Sequence, residues 1–209
     1  MMNMSTEKFR GKYRITSARL KNHDYGSPGA YFVTIVTKNR EHFFGEIRNG
    51  KMILSEIGKI ARDEWFKTPE IRPDMHIILD AFIVMPNHIH GIIIIGQNKF
   101  NTLNFNDLNN NITPTDAVET PHMASLRRRQ NSSKPYRNHF GPQRNNLSSV
   151  IRGYKSAVTK KSRHILPDFG WQSRFYDHII RNEKSLNKIR RYIQINPRIW
   201  LRDRNNSER

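Results

Sequence analysis

At 209 residues, with 36 Lys and Arg against 18 Asp and Glu, the chain suits one domain of ordinary size with a formal net charge of +18. That excess points to a polyanionic partner, nucleic acid ahead of a membrane surface, while the absence of cysteine excludes disulfides, thiolate metal sites and thiol catalysis. The opening MMNMSTEKFRGKYR lacks an apolar signal core and no later run is long enough to span a bilayer, so a cytoplasmic protein with no membrane partner is expected.

Residues 1–30 are polar and basic and end in the turn-rich Tyr25-Gly26-Ser27-Pro28-Gly29, so they read as a basic N-terminal arm. Ala30 to Thr37 is aromatic and β-branched, as a strand requires. His42 to Leu54 reads as a hairpin closed by Asn49-Gly50. Ser55 is placed to cap a helix in which Ile57, Ile60, Ala61 and Trp65 recur at helical spacing until Pro69 ends it. Met75 to Val84 is a second strand, and Met85-Pro86-Asn87 turns it into His88-Ile89-His90 and a run of isoleucines. So tight a connection predicts two adjacent antiparallel strands.

From Gln97 to Asn146 periodicity is lost. Seven of the fourteen residues from Asn98 to Asn111 are Asn, and Arg127-Arg128-Arg129 follows, so a mobile insertion over 97–146 is expected. Thr120 to Ile165 holds eleven Lys or Arg and no Asp or Glu. Such a block is ordinarily a solvated face; beside a phosphodiester site it becomes a candidate clamp, with Arg127, Arg128, Arg129, Lys155, Lys160, Lys161 and Arg174 the expected DNA contacts. Leu147 to His164 is a helix with Val150, Ile151, Tyr154 and Val158 on one stripe, Trp171 to Tyr176 is short and extended, and Asn182 caps a last helix that Pro197 stops. The main domain therefore spans 31–200, with a polar tail over 201–209, and the order of elements predicts an α+β sandwich.

Successive strand side chains alternate faces, so His88 and His90 share one and form half of a metal site. On the last helix Tyr192 and Asn196 are one turn apart beside the stripe of Leu186, Ile189 and Ile193. Asn196 can complete a three-ligand site while Tyr192 aims its oxygen at whatever the ion holds. A divalent ion on a phosphate oxygen and a phenolic nucleophile would give a covalent phosphotyrosine. Imidazole suits softer ions and phosphate chemistry employs magnesium or manganese, which leaves the metal open. Among rivals, Tyr154 reads as core, Tyr176 as a sheet or stacking residue, His76 and His178 as structural histidines, Lys188 as solvent-facing, and Trp65 and Trp171 as core.

Met85-Pro86-Asn87-His88-Ile89-His90, Trp171-Gln172 with Phe175-Tyr176-Asp177-His178-Ile179-Ile180-Arg181, and Tyr192-Ile193-Gln194-Ile195-Asn196-Pro197, in this order, resemble the single-tyrosine HUH transposases of insertion-sequence 200/605 type. The likeness is greatest to the bacterial REP-associated tyrosine transposases and runs from about Arg19 to Trp200. The resemblance implies a ferredoxin-like antiparallel sheet with helices on one face and the flexible basic insertion as a departure. It implies Tyr192 as nucleophile, His88, His90 and Asn196 as ligands of Mg2+ or Mn2+, and cleavage of single-stranded DNA near hairpins or palindromic repeats by a nucleoid-associated protein. A homodimer that exchanges the tyrosine helix is compatible with it. Two alternatives stay open: a metal-dependent phosphodiesterase that uses water, disfavoured because no carboxylate cluster accompanies the histidines, and a domesticated nucleic-acid-binding protein that no longer cuts.

Overall fold

The computed structural model describes residues 20, 23–101, 144–203 and 205–206. Most of the expected arm and insertion, with Arg127, Arg128 and Arg129, lies outside the described residues. In chain order the elements are β1 (Gly29–Val36), β2 (Gly45–Arg48), β3 (Lys51–Leu54), α1 (Glu56–Phe66), the short α2 (Thr68–Ile71), β4 (Ile77–Met85), β5 (His88–Ile95), α3 (Leu147–Ser162), β6 (Tyr176–Ile180) and α4 (Glu183–Ile195). A 3-10 turn over Asn196–Arg202 follows. No helix among the described residues is long and apolar enough to cross a membrane.

Local chemistry explains most of these boundaries. Asn49 and Gly50 both take positive φ, 50° and 70°, as a two-residue hairpin turn between β2 and β3 needs. Ser55 Oγ accepts from the Gly58 amide at 3.0 Å and opens α1, and Asn182 Oδ1 accepts from the Ser185 amide at 2.8 Å and opens α4. Pro69 does not end α1. That helix stops at Phe66, and Pro69 sits in the first turn of α2, where its missing amide hydrogen costs nothing. The other departure is β6, which lies C-terminal to the expected extended stretch. Tyr176 to Ile180 carries Asp177 and His178, whose low strand propensity hides it in the sequence, and backbone pairing with β1 makes it a strand.

Four strands form one antiparallel sheet in the order β4-β5-β1-β6, and the path β1-α1-β4-β5-α3-β6 is that of a ferredoxin-like α+β fold. The two crossover helices, α1 and α3, share one face. There Val33, Ile35, Ile89 and Ile93 from the sheet meet Ala61, Trp65, Val150 and Tyr154. Side-chain alternation sends Ala30, Phe32, Ile92 and both histidines to the opposite face. The additional helix α4 lies on that second face, burying Ile193 against Ile92 and Ile180 with Leu186, Ile189 and Tyr192 beside it. Helices thus pack on one face of the ferredoxin-like unit itself, and α4 covers part of the other. A helix ending in Asn196-Pro197 could reach Tyr192 to the histidines only from that side.

Gly91 shows how closely the first face is packed. A Cβ there would stand 2.3 Å from Trp65 Cζ2, so only glycine lets the indole lie flat on β5.

Candidate active site

β1 and β5 place Thr34 directly opposite His90. The Thr34 hydroxyl and His90 Nδ1 are 2.9 Å apart, which holds the ring with Nε2 directed away from the strand. His88 is oriented by its neighbour: Nδ1 donates to Asn87 Oδ1 at 2.8 Å, leaving Nε2 as the lone-pair nitrogen. Asn87 is held in turn, its amide donating to the carbonyls of Arg40 at 3.1 Å and Asn205 at 2.8 Å. The Trp200 indole stacks on His88 at 5.9 Å. The two Nε2 atoms end 3.0 Å apart, on residues that are 0% and 1% exposed. Outer nitrogens held by hydrogen-bond partners and inner nitrogens converging is how metal-binding imidazoles are arranged.

From α4, Tyr192 brings its hydroxyl to 3.2 Å from His90 Nε2. The same hydroxyl donates to Asp203 Oδ2 at 3.3 Å. Asp203 is 5% exposed, and its other oxygen accepts from the Asn205 amide at 2.7 Å. Asn196, fully buried, donates through Nδ2 to Asp203 Oδ2 at 3.1 Å, whereas its Oδ1 is buried with no hydrogen-bond partner among the described residues. Ligand atoms of His88, His90 and Asp203 all lie within 4.8 Å of one another, so this buried group could hold a metal ion. The donor set fits a divalent cation: two imidazole nitrogens, one carboxylate, and an orphaned amide oxygen for which a cation would be the missing partner.

α4 is tied to the sheet beyond its apolar stripe. Arg190 forks onto Asp80, with Nε 2.9 Å from Oδ1 and Nη2 on Oδ2, at the point where β4 slips register between Leu79 and Phe82. The Arg190 guanidinium holds the Asp80 carboxyl below the usual carboxylate range. Tyr192 lies two residues further along the same helix.

All four residues singled out as nucleophile or ligands, His88, His90, Tyr192 and Asn196, meet within one chain. The carboxylate that the sequence reading lacked is also present: Asp203, assigned to the polar tail, sits among them. No periodicity or motif marks Asp203 in the sequence. Asn87 belongs to the Met-Pro-Asn-His-Ile-His stretch, and Thr34 follows once the β1–β5 register is known. Tyr154 lies on the opposite face, donating to the Ala61 carbonyl at 2.9 Å, and burial, with the Glu64 carboxylate adding to it, pushes its phenol well above the ordinary value. His76 Nδ1 meets the Gln97 carbonyl, and His178 is exposed on β6.

The expected DNA contacts divide. Lys155, Lys160 and Lys161 ride on α3, on the face away from the histidines. Lys155 donates to the carbonyls of Gln172 and Arg174, and burial pulls its pKa down to about 8. Lys161 pairs with Glu64 of α1. Lys160 is exposed, as is Arg174, which precedes the edge strand β6.

No family model matches this chain. An uncharacterized protein of Haemophilus influenzae is 35% identical over 201 residues, covering 96% of this chain and 97% of that protein. Among solved structures, the chain is similar to a REP-associated tyrosine transposase bound to a REP hairpin, at 20% identity and a TM-score of 0.49, over 88% of this chain and 73% of that one. It is also similar to a candidate transposase from Deinococcus radiodurans, at 13% identity and a TM-score of 0.38, over 87% of this chain and 96% of that one.

Proposed function

We propose that this chain, which belongs to one family with the Haemophilus influenzae protein, is a transposase-type endonuclease and strand transferase acting on single-stranded DNA beside hairpins. The observation that carries the reading is the Tyr192 hydroxyl held 3.2 Å from His90 Nε2 and 3.3 Å from Asp203 Oδ2, at the edge of a buried two-histidine, one-carboxylate group. The three sequence motifs that resemble the REP-associated enzymes contribute every member of this cluster except Asp203.

In this reading His88, His90 and Asp203 would hold a divalent ion, with Asn196 Oδ1 available as a further donor. The ion would polarise a nonbridging oxygen of the scissile phosphate and stabilise the charge that develops on it. Two imidazoles in the set favour manganese over magnesium. Tyr192 supplies the nucleophile. A free phenol gives up its proton near pH 10; Asp203 Oδ2 holds the Tyr192 hydroxyl in position, and the phenolic proton would pass to solvent as the phenolic oxygen closes on phosphorus. The bond from phosphorus to the 3′-oxygen of the upstream nucleotide breaks, and that oxygen takes up a proton from solvent water to leave as a 3′-hydroxyl. The downstream piece stays on Tyr192 through its 5′-phosphate, and attack by another 3′-hydroxyl on the same phosphorus reverses the step and joins strands. His90 orients the phenol, Thr34 and Asn87 orient the imidazoles, and Trp200 shields His88 from water. The arginines at 127, 128 and 129 extend the reading as phosphate contacts: removing them should lower the slope of binding affinity against salt without altering sequence preference.

The test is covalent capture. Wild-type protein, manganese and single-stranded DNA carrying a hairpin from the palindromic repeats near its own gene should yield a protein–DNA adduct mapped by mass spectrometry to Tyr192. Asp203 gives the water-using phosphodiesterase a carboxylate to work with, and that rival would yield nicked products without an adduct. A domesticated binder would yield neither, and either outcome would overturn the assignment.

A further inference from the structure

Next to the histidines, the same face of the sheet carries a strip of aromatic side chains that the cleavage step does not use. The β1–β6 register sets Tyr176 opposite Thr34 and His178 opposite Phe32, so Tyr176 and His178 rise from the face on which Thr34 holds His90. Phe32 lies at the centre. Its ring centroid is 5.3 Å from that of His90, 6.2 Å from Tyr192 and 6.3 Å from Tyr176, the last two edge-on. Phe32 is 8% exposed, whereas Tyr176 is 44% exposed. Helix α4 is drawn towards β4 by the Arg190–Asp80 pair, and β6 is the terminal strand of the sheet. The Tyr176 side of this face is therefore left open to solvent.

Among the described residues the exposed charges flanking Tyr176 are mostly cationic, with Glu183 at the start of α4 the acidic exception. Arg174 precedes Tyr176 by two residues, Arg181 follows β6, and Lys184, Lys188 and Arg191 are exposed along α4. Asp177 points to the opposite face by strand alternation. An exposed ring with a buried aromatic beneath it, flanked by cations and one ring removed from the phenol that would attack phosphorus, has the composition of a surface that follows a single nucleic-acid strand.

We propose that Tyr176 is the stacking platform for a base of the single-stranded DNA adjoining the phosphate attacked by Tyr192, with Phe32 bracing the Tyr176 ring and Arg174 and Arg181 flanking the backbone. The proposal rests on the cleavage reading for the position of the strand and names what presents that strand to Tyr192. A base can lie on Tyr176 only when it is out of a duplex stack, so the platform selects an unpaired flank. Because every base offers a π-face, it adds affinity without choosing sequence.

Binding of a fluorescein-labelled oligothymidylate and of a duplex of the same length is measured by anisotropy with the full chain, wild type and Tyr176→Ala, Tyr176→Phe and Tyr176→Trp. Tyr176→Ala should weaken single-strand binding roughly five- to a hundredfold, the range for loss of one base–aromatic stack. Its salt slope and duplex affinity should be unchanged, and Tyr176→Phe and Tyr176→Trp should stay within about twofold of wild type. A strand bearing 5-iodouracil should photo-crosslink to the peptide containing Tyr176. Unchanged single-strand affinity in Tyr176→Ala, a loss as large in Tyr176→Phe, or an equal loss for duplex would overturn the proposal. The two readings fail separately. No adduct from wild type sinks the cleavage reading and leaves the platform to be judged on binding, whereas an adduct with binding indifferent to Tyr176→Ala sinks the platform alone.

Discussion

The two faces of the sheet each receive a helix that brings a tyrosine to it, and they treat that tyrosine in opposite ways. On the α1–α3 face Tyr154 is 4% exposed, surrounded by Trp65 and Trp171, and its one hydrogen bond runs to a backbone carbonyl. Burial and the nearby Glu64 carboxylate both oppose its ionisation, and its hydroxyl is committed to packing. On the α4 face Tyr192 is half-buried, and its oxygen lies among imidazole and carboxylate atoms. The first face is built of apolar contacts that tolerate no spare volume. The second is built of polar side chains whose outer atoms are held so that their inner atoms converge, and it retains an unpartnered buried amide oxygen at Asn196. Apolar packing is concentrated on one face and convergent polar side chains on the other.

The sharpest way to break this contrast is to exchange the roles of the tyrosines. Tyr192→Phe should lower adduct formation on the order of a thousandfold or more while DNA affinity holds, because it removes the nucleophile and little else. Tyr154→Phe should cleave as wild type. An adduct that survives Tyr192→Phe and vanishes in Tyr154→Phe would reverse the assignment of faces.

Metal affinity is the next largest effect. His88→Ala and His90→Ala should abolish manganese binding in calorimetry, and Thr34→Val, which removes only the hydroxyl that orients His90, should weaken it roughly ten- to a hundredfold. Thermal unfolding of the metal-free Thr34→Val protein should stay near that of wild type, which separates orientation of a ligand from loss of the fold.

On the packed face the expected change is in stability. Gly91→Ala drives a methyl into the Trp65 ring and should cost about 1–3 kcal/mol in denaturant unfolding. Adduct yield per folded molecule should change little. A smaller effect belongs to Lys155. Between about pH 8, where the folded chain releases its ammonium proton, and 10.5, where an unfolded lysine does, the unfolded chain binds more protons. The Lys155 contribution to stability therefore rises with pH across that window, and Lys155→Met should flatten the rise in thermal melts.

Much of the α4 face was legible because its residues are local to one another. His88 and His90 are two apart on a strand, Tyr192 and Asn196 four apart on a helix, and those spacings alone put each pair on one side of its element. Helix caps at Ser55 and Asn182 and the Asn49-Gly50 turn are equally local, and they stand where their chemistry predicts. β6 was not legible: a polar edge strand is defined by the partner it pairs with, and Tyr176 to Ile180 alternates too weakly to be read without β1. Pro69 misled because a proline that breaks a helix interior is acceptable in a first turn, and only the break after Phe66 decides which of the two it is.

Local patterning thus accounts for the elements with strong periodicity, the pairing of β4 with β5 across a tight turn and two halves of the candidate site, and composition for the basic character of the chain. That the halves meet follows from long-range packing, since which face α4 takes depends on where β6 leaves the sheet and on the Arg190–Asp80 pair, residues 110 apart in sequence. Long-range packing also brought in Asp203, whose place is set by a 3-10 turn folding Trp200 onto His88 and by a backbone carbonyl of Asn205 reaching Asn87. Those contacts are long-range hydrogen bonds and ring stacking. They leave no period in the chain because their spacing is fixed by the sheet beneath them rather than by the segment that carries them.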